Sequence, residues 1–276
     1  MDKKIFTFWQ KHHRGPYHFP VDLETWKQSW EQDIDSDGRV LFSQLHTETE
    51  TDDSGRITGL IRYGTTAFGF DASGEISHNV HYNVIRDLCF DNSETGARLL
   101  EAAVSRFPAG ERVYAFFHYF GMSSCARHGK LHERNPHVHR LLTDSGFLVE
   151  HENVYYTREL SAQEAPNSPV SLRWGELSPG DCREFAALLQ GQEVCWGQVH
   201  FLPQKETAYL RWIYVDEKRQ HTGVGTAVMN ALFSDLSSMG ITRFDTDTSL
   251  GNLAAQHFYE KTGFENKGIT RSYHTK

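Results

Sequence analysis

Cysteine is scarce in this chain of 276 residues, which has only Cys89, Cys125, Cys182 and Cys195. Their positions form no pair with the spacing of a disulfide framework or a zinc site. The chain also lacks a long apolar run, and residues 1–9 are too interrupted by polar side chains to resemble an export signal. We therefore expect a reduced, cytoplasmic protein that does not enter a membrane.

An excess of basic residues is also absent, since the net charge is −8. Residues 1–164 hold 17 Lys and Arg against 24 Asp and Glu, whereas residues 165–276 hold 11 against 12. Nucleic-acid binding needs a basic face, so we expect no nucleic-acid partner. The acidic part is most simply a solvated exterior, and it would also attract a cationic amine.

The most informative segment is residues 220–225, which read Gln-His-Thr-Gly-Val-Gly. It follows an apolar, strand-like run at 209–215. It precedes a helical pattern in which Val224, Val228 and Leu232 recur at the spacing of one face, and this pattern stops at Gly240. A strand, a glycine turn and a helix start bring backbone N–H groups and the positive end of the helix dipole together. The segment therefore predicts a site for a phosphate-bearing ligand at residues 220–226.

The spacing of the glycines narrows the choice of ligand. A dinucleotide fold needs a third glycine where this chain has Val228, although Asp245 stands where a ribose-binding acid could lie. A nucleotide P-loop needs a Gly-Lys-Ser/Thr that the segment lacks. A tight turn whose glycines serve only geometry also remains open.

A second motif follows a strand-like run at 241–246. It consists of Asn252, Ala255, Tyr259 and the pair Gly263-Phe264. Asn252 is a good N-cap and Gly263 a good stop, so the motif predicts a short helix. The two motifs together strongly resemble the GNAT superfamily of acyl-CoA-dependent N-acyltransferases, whose acyl-CoA loop reads Gln/Arg-x-x-Gly-x-Gly/Ala. This resemblance covers roughly residues 170–276.

The resemblance implies that acetyl-CoA is a co-substrate and that an amine, on a small molecule or a peptide, accepts the acetyl group. It further implies that Tyr259 donates a proton to the departing CoA thiolate, which suits a phenol with a pKa near 10. Asn252 and Tyr259 could instead serve only as a helix cap and a core aromatic residue. The resemblance assigns acetyl-CoA contacts to Ile213, Tyr214, Val215, Gln220, His221, Thr222, Gly223, Val224, Gly225, Thr226, Asn252 and Ala255.

The group that takes the proton from the amine is not determined by the sequence. The run at 209–215 contains no acid. Glu206, His200, Asp245 and Asp247 lie just before it or on the adjoining strands. Each of them could be a base or a solvated surface group.

The first part of the chain repeats this order of elements. A strand-like run at 82–90, a helix that begins with Ser93 as cap, a strand-like run at 112–120 and a helix at 137–145 lead to Gly146-Phe147 and a strand at 149–160. The two Gly-Phe pairs are 117 residues apart. We therefore predict an α/β (α+β) fold of two tandem GNAT-like domains, each a mixed, mostly antiparallel sheet flanked by helices. The predicted bounds are 1–160, a linker at 161–169, and 170–276.

The N-terminal repeat lacks the residues that would bind acyl-CoA and donate the proton. Residues 91–97 include Asp91 and Glu94 but no Gly-x-Gly, and carboxylates repel a phosphate. Leu142 stands where Tyr259 stands relative to the Gly-Phe pair. We expect a degenerate domain that supports the active one and binds no acyl-CoA, in a monomer or homodimer.

Histidines raise the question of a metal, because Cys125, His128, His132, His137 and His139 lie within fifteen residues. Their spacing matches no familiar zinc pattern, so we expect no metal.

Two functions remain to be compared. The favoured one is an N-acetyltransferase, since both loop glycines, Asn252 and Tyr259 are intact, and the rival is a catalytically inactive sensor or scaffold that binds acyl-CoA or an amine.

Overall fold

The computed structural model describes residues 2–13, 15–32, 34, 38–122, 125–161, 168–178, 181–202 and 206–276. The chain divides into two compact units. The first unit comprises Met1–Glu152 and Thr270–Lys276, and the second unit comprises Asn153–Ile269. The division falls inside two strands, β8 (Leu148–Glu159) and β14 (Glu265–His274). Of the predicted linker at 161–169, residues 162–167 lie outside the described residues.

Among its described residues, the first unit has four α-helices and a sheet in the order β1-β2-β5-β6, with the last residues of β14 paired to β6. The pairs are antiparallel except β5 with β6, which are parallel over Asn83–Ile85 and Val113–Ala115. The elements are α1 (Asp2–His12), α2 (Leu23–Gln32), β1 (Phe42–Thr51), β2 (Ile57–Thr66), β3 (Gly69–Phe70), β4 (Ile76–Ser77), β5 (Asn83–Phe90), α3 (Ser93–Val104), β6 (Val113–Ala115), β7 (Leu131–His132) and α4 (Pro136–Asp144).

The second unit has the sheet order β8-β13-β12-β11-β10-β9. Its pairs are antiparallel except β12 with β13, which are parallel. Its elements, besides parts of β8 and β14, are β9 (Val170–Ser178), β10 (Cys182–Leu189), β11 (Gln192–Leu202), β12 (Thr207–Val215), α5 (Val224–Ser238), β13 (Arg243–Ser249) and α6 (Leu253–Lys261).

The two units share one order of elements. Three antiparallel strands, a helix, a parallel strand and a second helix follow each other as β1-β2-β5-α3-β6-α4 and as β10-β11-β12-α5-β13-α6. Each parallel pair joins the strand before a helix to the strand after it. The prediction of two mixed, mostly antiparallel sheets with flanking helices is confirmed.

The core of the second unit explains why α5 forms where it does. Its buried residues include Val224, Val228, Leu232 and Leu236, which recur every four residues and make one apolar face. This face packs in one cluster with Ala208 and Leu210 of β12 and with Tyr259 of α6. Gly240 ends the helix at φ 82°, as the sequence predicts.

One strand prediction is wrong. The run at 112–120 forms only the short strand β6, followed by a 3₁₀ turn at His118–Phe120. Phe116 adopts φ 54°, a left-handed conformation that a strand cannot contain. The aromatic composition of this run predicts a strand. In the structure its aromatic side chains are buried or partly buried, but most of its backbone is not in a strand.

Candidate active site

The loop at residues 220–223 is held together by its own side chains. Gln220 Nε2 donates to the carbonyl of Val215 at 3.1 Å, and Thr222 Oγ1 donates to the carbonyl of Arg219 at 2.6 Å. His221 and Gly223 have φ 62° and 88°, which turns the chain from a 3₁₀ turn at Glu217–Arg219 into α5. Gln220 and Thr222 therefore fix the shape of the loop, and all four of its residues are exposed.

Gly223 is the N-cap of α5 and supplies no capping side chain. The first helical hydrogen bond to the Gly223 carbonyl comes from Ala227 N at 3.1 Å. The N–H groups of the first turn, Val224 to Thr226, therefore have no acceptor within the helix and point out of its end. A Cβ at Gly223 would meet nothing within 4 Å. This end of α5 is therefore open to an anion, which the helix dipole also favours.

Gly225 has a different role from Gly223. A Cβ there would lie 3.1 Å from Phe258 Cε2 and 3.7 Å from Val215 Cγ2. The absence of a side chain thus lets α5 approach α6 and β12 closely. The sequence placed Gly225 among the cofactor contacts and did not reveal this packing role.

The corresponding helix start in the first unit is closed. Asn92 is the N-cap of α3, and its Oδ1 accepts from Thr95 N at 2.9 Å. The prediction that Ser93 caps this helix is therefore wrong by one residue. Asp91 adds a carboxylate beside it, which pairs with Lys11 at 2.5 Å. The capping oxygen takes the position that an anion would need.

The parallel strands of the second unit separate next to the open helix end. β12 pairs with β13 only from Thr207–Arg243 to Leu210–Thr246, although β12 continues to Val215 and β13 to Ser249. On its other edge β12 stays paired with β11 as far as Val215. The strands therefore part beyond Leu210 and Thr246, and we call this region the strand opening.

An irregularity at Arg211 decides which side chains face α5. The β11 register skips this residue, because Gln198 pairs with Trp212 and Val199 with Leu210. Ile213 and Val215 consequently pack against the core with α5, while Trp212 and Tyr214 stay 43% and 48% exposed. Tyr214, a predicted cofactor contact, thus points its side chain to the opposite face, where it stacks with Trp196 at 6.1 Å.

Tyr259 lies on α6 and is 6% exposed. Its ring packs against Tyr156 and Phe264, each at 5.6 Å between centroids. Burial raises the pKa of this phenol above its ordinary value, and the negative charge of Asp247 raises it further, while a hydrogen bond with the Thr246 side chain lowers it. An ordinary phenol is already protonated at neutral pH, and a raised pKa leaves it so, which a proton donor requires.

Asn252 caps α6, as the sequence predicts. Its Oδ1 accepts from Ala255 N at 3.1 Å. Ala255 is partly buried against the core of the second unit. Because the cap uses Oδ1, a contact of Asn252 with a ligand would come from its amide nitrogen or its backbone.

The four candidate bases occupy different places. Asp245 is 1% exposed, pairs with Arg243 Nη2 at 2.8 Å and accepts from the Tyr155 hydroxyl at 2.7 Å. Asp247 accepts from the Tyr209 hydroxyl at 2.5 Å. His200 lies opposite Tyr209 in the β11–β12 register. Glu206 precedes β12, at the end of the strand that is remote from the strand opening.

Three of the clustered residues, Cys125, His128 and His137, lie in the first unit and line a cavity of about 40 Å³ together with His13 and His18. Burial lowers the pKa of His18 and of His128 well below the usual range, so both rings are neutral. Within the described part of the chain, no group of three or more His, Cys, Asp or Glu residues is placed to hold a metal ion.

Comparisons with known proteins agree with this geometry. Residues 145–264 match the model of the acetyltransferase (GNAT) family. No curated protein matches the sequence. Among the described helices, none is long and apolar enough to cross a membrane.

Solved structures resemble the whole chain at low sequence identity. A GCN5-related glucosamine N-acetyltransferase region of a fungal multi-domain β-N-acetylglucosaminidase has a TM-score of 0.61 and 10% identity over 99% of this chain. This chain spans only 36% of that protein. A tandem GNAT protein from the clavulanic acid biosynthesis pathway has a TM-score of 0.56 and 10% identity, with 99% of this chain and 93% of that one covered.

A GCN5-related N-acetyltransferase from Sphaerobacter thermophilus gives a similar result, with a TM-score of 0.55 and 10% identity over 99% of this chain and 90% of that one. At these identities the structural likeness shows the fold. The family match at residues 145–264 spans both the loop at 220–223 and α6. Residues 145–264 are therefore similar to the GNAT acetyltransferase family, and the whole chain has the fold of a tandem GNAT protein.

Proposed function

We propose that this protein is an N-acetyltransferase whose second unit transfers the acetyl group of acetyl-CoA to a primary amine. The observation that carries this proposal is the strand opening beside the uncapped end of α5. An open strand edge and an anion site next to each other suit a ligand that has amide groups in one part and a pyrophosphate in another.

The pyrophosphate would bind the backbone N–H groups from His221 to Thr226. Gly223 supports this placement because its missing side chain leaves the approach clear within 4 Å. The amide groups of the pantetheine arm would pair with the open edge of β12 at residues 213–215. The complete set of proposed contacts is Ile213, Tyr214, Val215, Gln220, His221, Thr222, Gly223, Val224, Gly225, Thr226, Asn252 and Ala255, of which Gln220, Thr222 and Gly225 act mainly by shaping the loop and the helix packing.

In the transfer step the amine nitrogen attacks the thioester carbonyl carbon, and the carbon–sulfur bond breaks. Tyr259 would donate its phenolic proton to the CoA sulfur as the bond breaks. The burial and protonated state of this phenol support that role, because the proton of a buried donor is not shared with solvent.

The first unit would bind no acyl-CoA, because Asn92 already caps α3 and the Asp91–Lys11 ion pair stands beside that cap. We further propose a cytoplasmic monomer or homodimer. All four cysteines are buried and lie outside any disulfide, which suits a reducing compartment.

The test is release of CoA thiol from acetyl-CoA by the full chain in the presence of an amine panel. The panel should include alkylamines, peptides and glucosamine, since one protein of similar fold is described as a glucosamine N-acetyltransferase. Amine-dependent thiol release together with a mass increase of the amine by one acetyl group supports the proposal. Tight acetyl-CoA binding without release of CoA thiol in the presence of any amine would instead favour the sensor or scaffold.

A further inference from the structure

A buried threonine lies between the proposed proton donor and the point where β12 and β13 separate. Thr246 forms the last residue pair of the two strands, with Leu210. It is 1% exposed, and its Oγ1 donates to the Leu210 carbonyl at 3.1 Å. Because side chains alternate along a strand, Thr246 shares the face of Phe244, which packs in one cluster with Tyr259. Its hydroxyl therefore contacts Leu210 and also hydrogen-bonds with the Tyr259 phenol.

Packing alone does not require a hydroxyl at this position. Valine has nearly the same shape as threonine, and both are favoured in strands. A buried hydroxyl costs free energy unless it is hydrogen-bonded, and Thr246 has two partners. A hydroxyl donates a single proton and accepts through its lone pairs, so while Thr246 donates to Leu210 it accepts from Tyr259. The resting phenol is thereby held beside the strand opening.

The first unit supplies an internal comparison. Its parallel strands β5 and β6 part after the pair of Ile85 with Ala115, the same place in the fold as the last pair of the second unit. Ala115 has no side-chain donor, and the Ile85 carbonyl accepts instead from the backbone N–H of Phe116 at 2.9 Å. The first unit also has Leu142 where the second has Tyr259 relative to the Gly-Phe pair. The hydroxyl at the last strand pair is therefore absent where the phenol is absent.

The direction of the bond between Thr246 and Tyr259 depends on the charge of the phenol. Burial raises the pKa of Tyr259 and the charge of Asp247 adds to this, whereas the bond to Thr246 lowers it. A bond that lowers the pKa of a phenol stabilises the phenolate, so Thr246 is the donor in that state. Rotation about one C–O bond turns the Thr246 proton from the Leu210 carbonyl to the phenolate.

We propose that Thr246 is a positioning residue for the proton donor: it holds the Tyr259 hydroxyl at rest and donates to the phenolate once the proton has passed to the CoA sulfur. The proposal rests on the transfer function proposed above. In that step a bond forms between the amine nitrogen and the thioester carbon, the carbon–sulfur bond breaks, and the sulfur takes the phenolic proton. The nitrogen loses one proton as the amide forms, and this proton restores the phenol.

The test is a double-mutant cycle of Thr246→Val and Tyr259→Phe in the full chain, with kcat and the KM for acetyl-CoA measured for each variant. We expect Thr246→Val to lower kcat roughly 10- to 100-fold, with a KM for acetyl-CoA within about threefold of wild type. Thr246→Ser keeps the hydroxyl and should recover most of kcat. In the Tyr259→Phe background, Thr246→Val should change kcat by less than about threefold, because the group that it positions is gone.

The control is Thr157→Val on β8, in the same sheet. Thr157 is also buried, at 5% exposed, and among the described residues its Oγ1 has no hydrogen-bond partner. The same change of side chain should therefore leave kcat unaltered. Thermal melting shows whether each variant folds. Thr246→Ala, which introduces the residue that the first unit has at this place, replaces Thr246→Val if the valine variant does not fold.

Unchanged kcat in a folded Thr246→Val protein, or an equal loss with and without the Tyr259 phenol, would overturn the assignment. A measurement that needs no turnover separates it from the transfer function, namely the Cζ NMR resonance of Tyr259 in protein with isotope-labelled tyrosine, assigned by its loss in Tyr259→Phe. We expect this resonance to move in Thr246→Val and to stay in place in Thr157→Val. If wild type transfers no acetyl group but the resonance moves, the contact stands and the transferase proposal fails. A resonance that does not move in Thr246→Val overturns the assignment of Thr246, whatever the activity.

Discussion

Gly223 offers the sharpest test of the phosphate site, because it combines an open approach with a left-handed conformation. The substitution Gly223→Asp places a carboxylate at the N-cap of α5, where the pyrophosphate is proposed to bind. Asp is a favourable N-cap, whereas φ 88° disfavours any side chain by about 1 kcal/mol. These effects nearly offset, so we expect the variant to fold.

The effect on binding should be much larger than the effect on folding. One unit charge about 5 Å from another, at an effective dielectric constant of about 20, contributes roughly 3 kcal/mol of repulsion. That is roughly a 10²-fold loss of acetyl-CoA affinity. Gly223→Asn adds nearly the same bulk without the charge, so its loss should be several-fold smaller.

The control is Gly240→Asp, at the other end of the same helix. Gly240 also has positive φ, at 82°, and a Cβ there would meet nothing within 4 Å. The 15 residues of α5 separate it from Gly223 by about 22 Å, beyond the range of unscreened charge at physiological salt. Calorimetry and thermal melting on all three variants give affinity and stability together. Unchanged acetyl-CoA affinity in a folded Gly223→Asp protein would refute the placement of the pyrophosphate.

Three further predictions concern chemistry, stoichiometry and pH. Tyr259→Phe should lower kcat by roughly 10²–10⁴-fold with little change in acetyl-CoA affinity. Unaltered turnover would mean that Tyr259 serves only in core packing. A titration with a non-hydrolysable acyl-CoA analogue should end at one equivalent per chain. Two equivalents would mean that the start of α3, capped by Asn92, also binds the analogue. Burial lowers the pKa of His12 to about 4 from an ordinary 6.5, so the unfolded chain binds the proton more readily. Its contribution to stability is therefore complete above pH 6.5 and is lost as the pH falls toward 4, and His12→Asn should flatten the decline in melting temperature over that window.

Local patterns predicted much of this fold. The strand, loop and helix at 209–239 and the caps at Asn252 and Gly263 follow from propensity and spacing within a few residues, and the structure confirms them. The repeated order of elements in both units was likewise visible in the sequence, because each strand and helix carries its own periodicity.

Features that depend on long-range pairing were not predictable. The irregularity at Arg211 sends Trp212 and Tyr214 to the face opposite α5, and nothing in the alternation of residues 209–215 indicates it. Thr270 to Lys276 belong to the first unit because Tyr273 pairs with Ala115, far away in sequence. Whether the start of a helix is capped depends on the positions of side-chain atoms, so the difference between the capped α3 and the uncapped α5 could not be predicted. In the structure Asn92, and not the predicted Ser93, caps α3.

The most direct test of the account is a crystal structure of the full chain with a non-hydrolysable acetyl-CoA analogue. The account predicts the pyrophosphate on the backbone N–H groups from His221 to Thr226, the acyl group between the separated strands β12 and β13, and the sulfur position within hydrogen-bond reach of the Tyr259 hydroxyl. A pyrophosphate bound elsewhere, above all at the start of α3 beside Asn92, would contradict it.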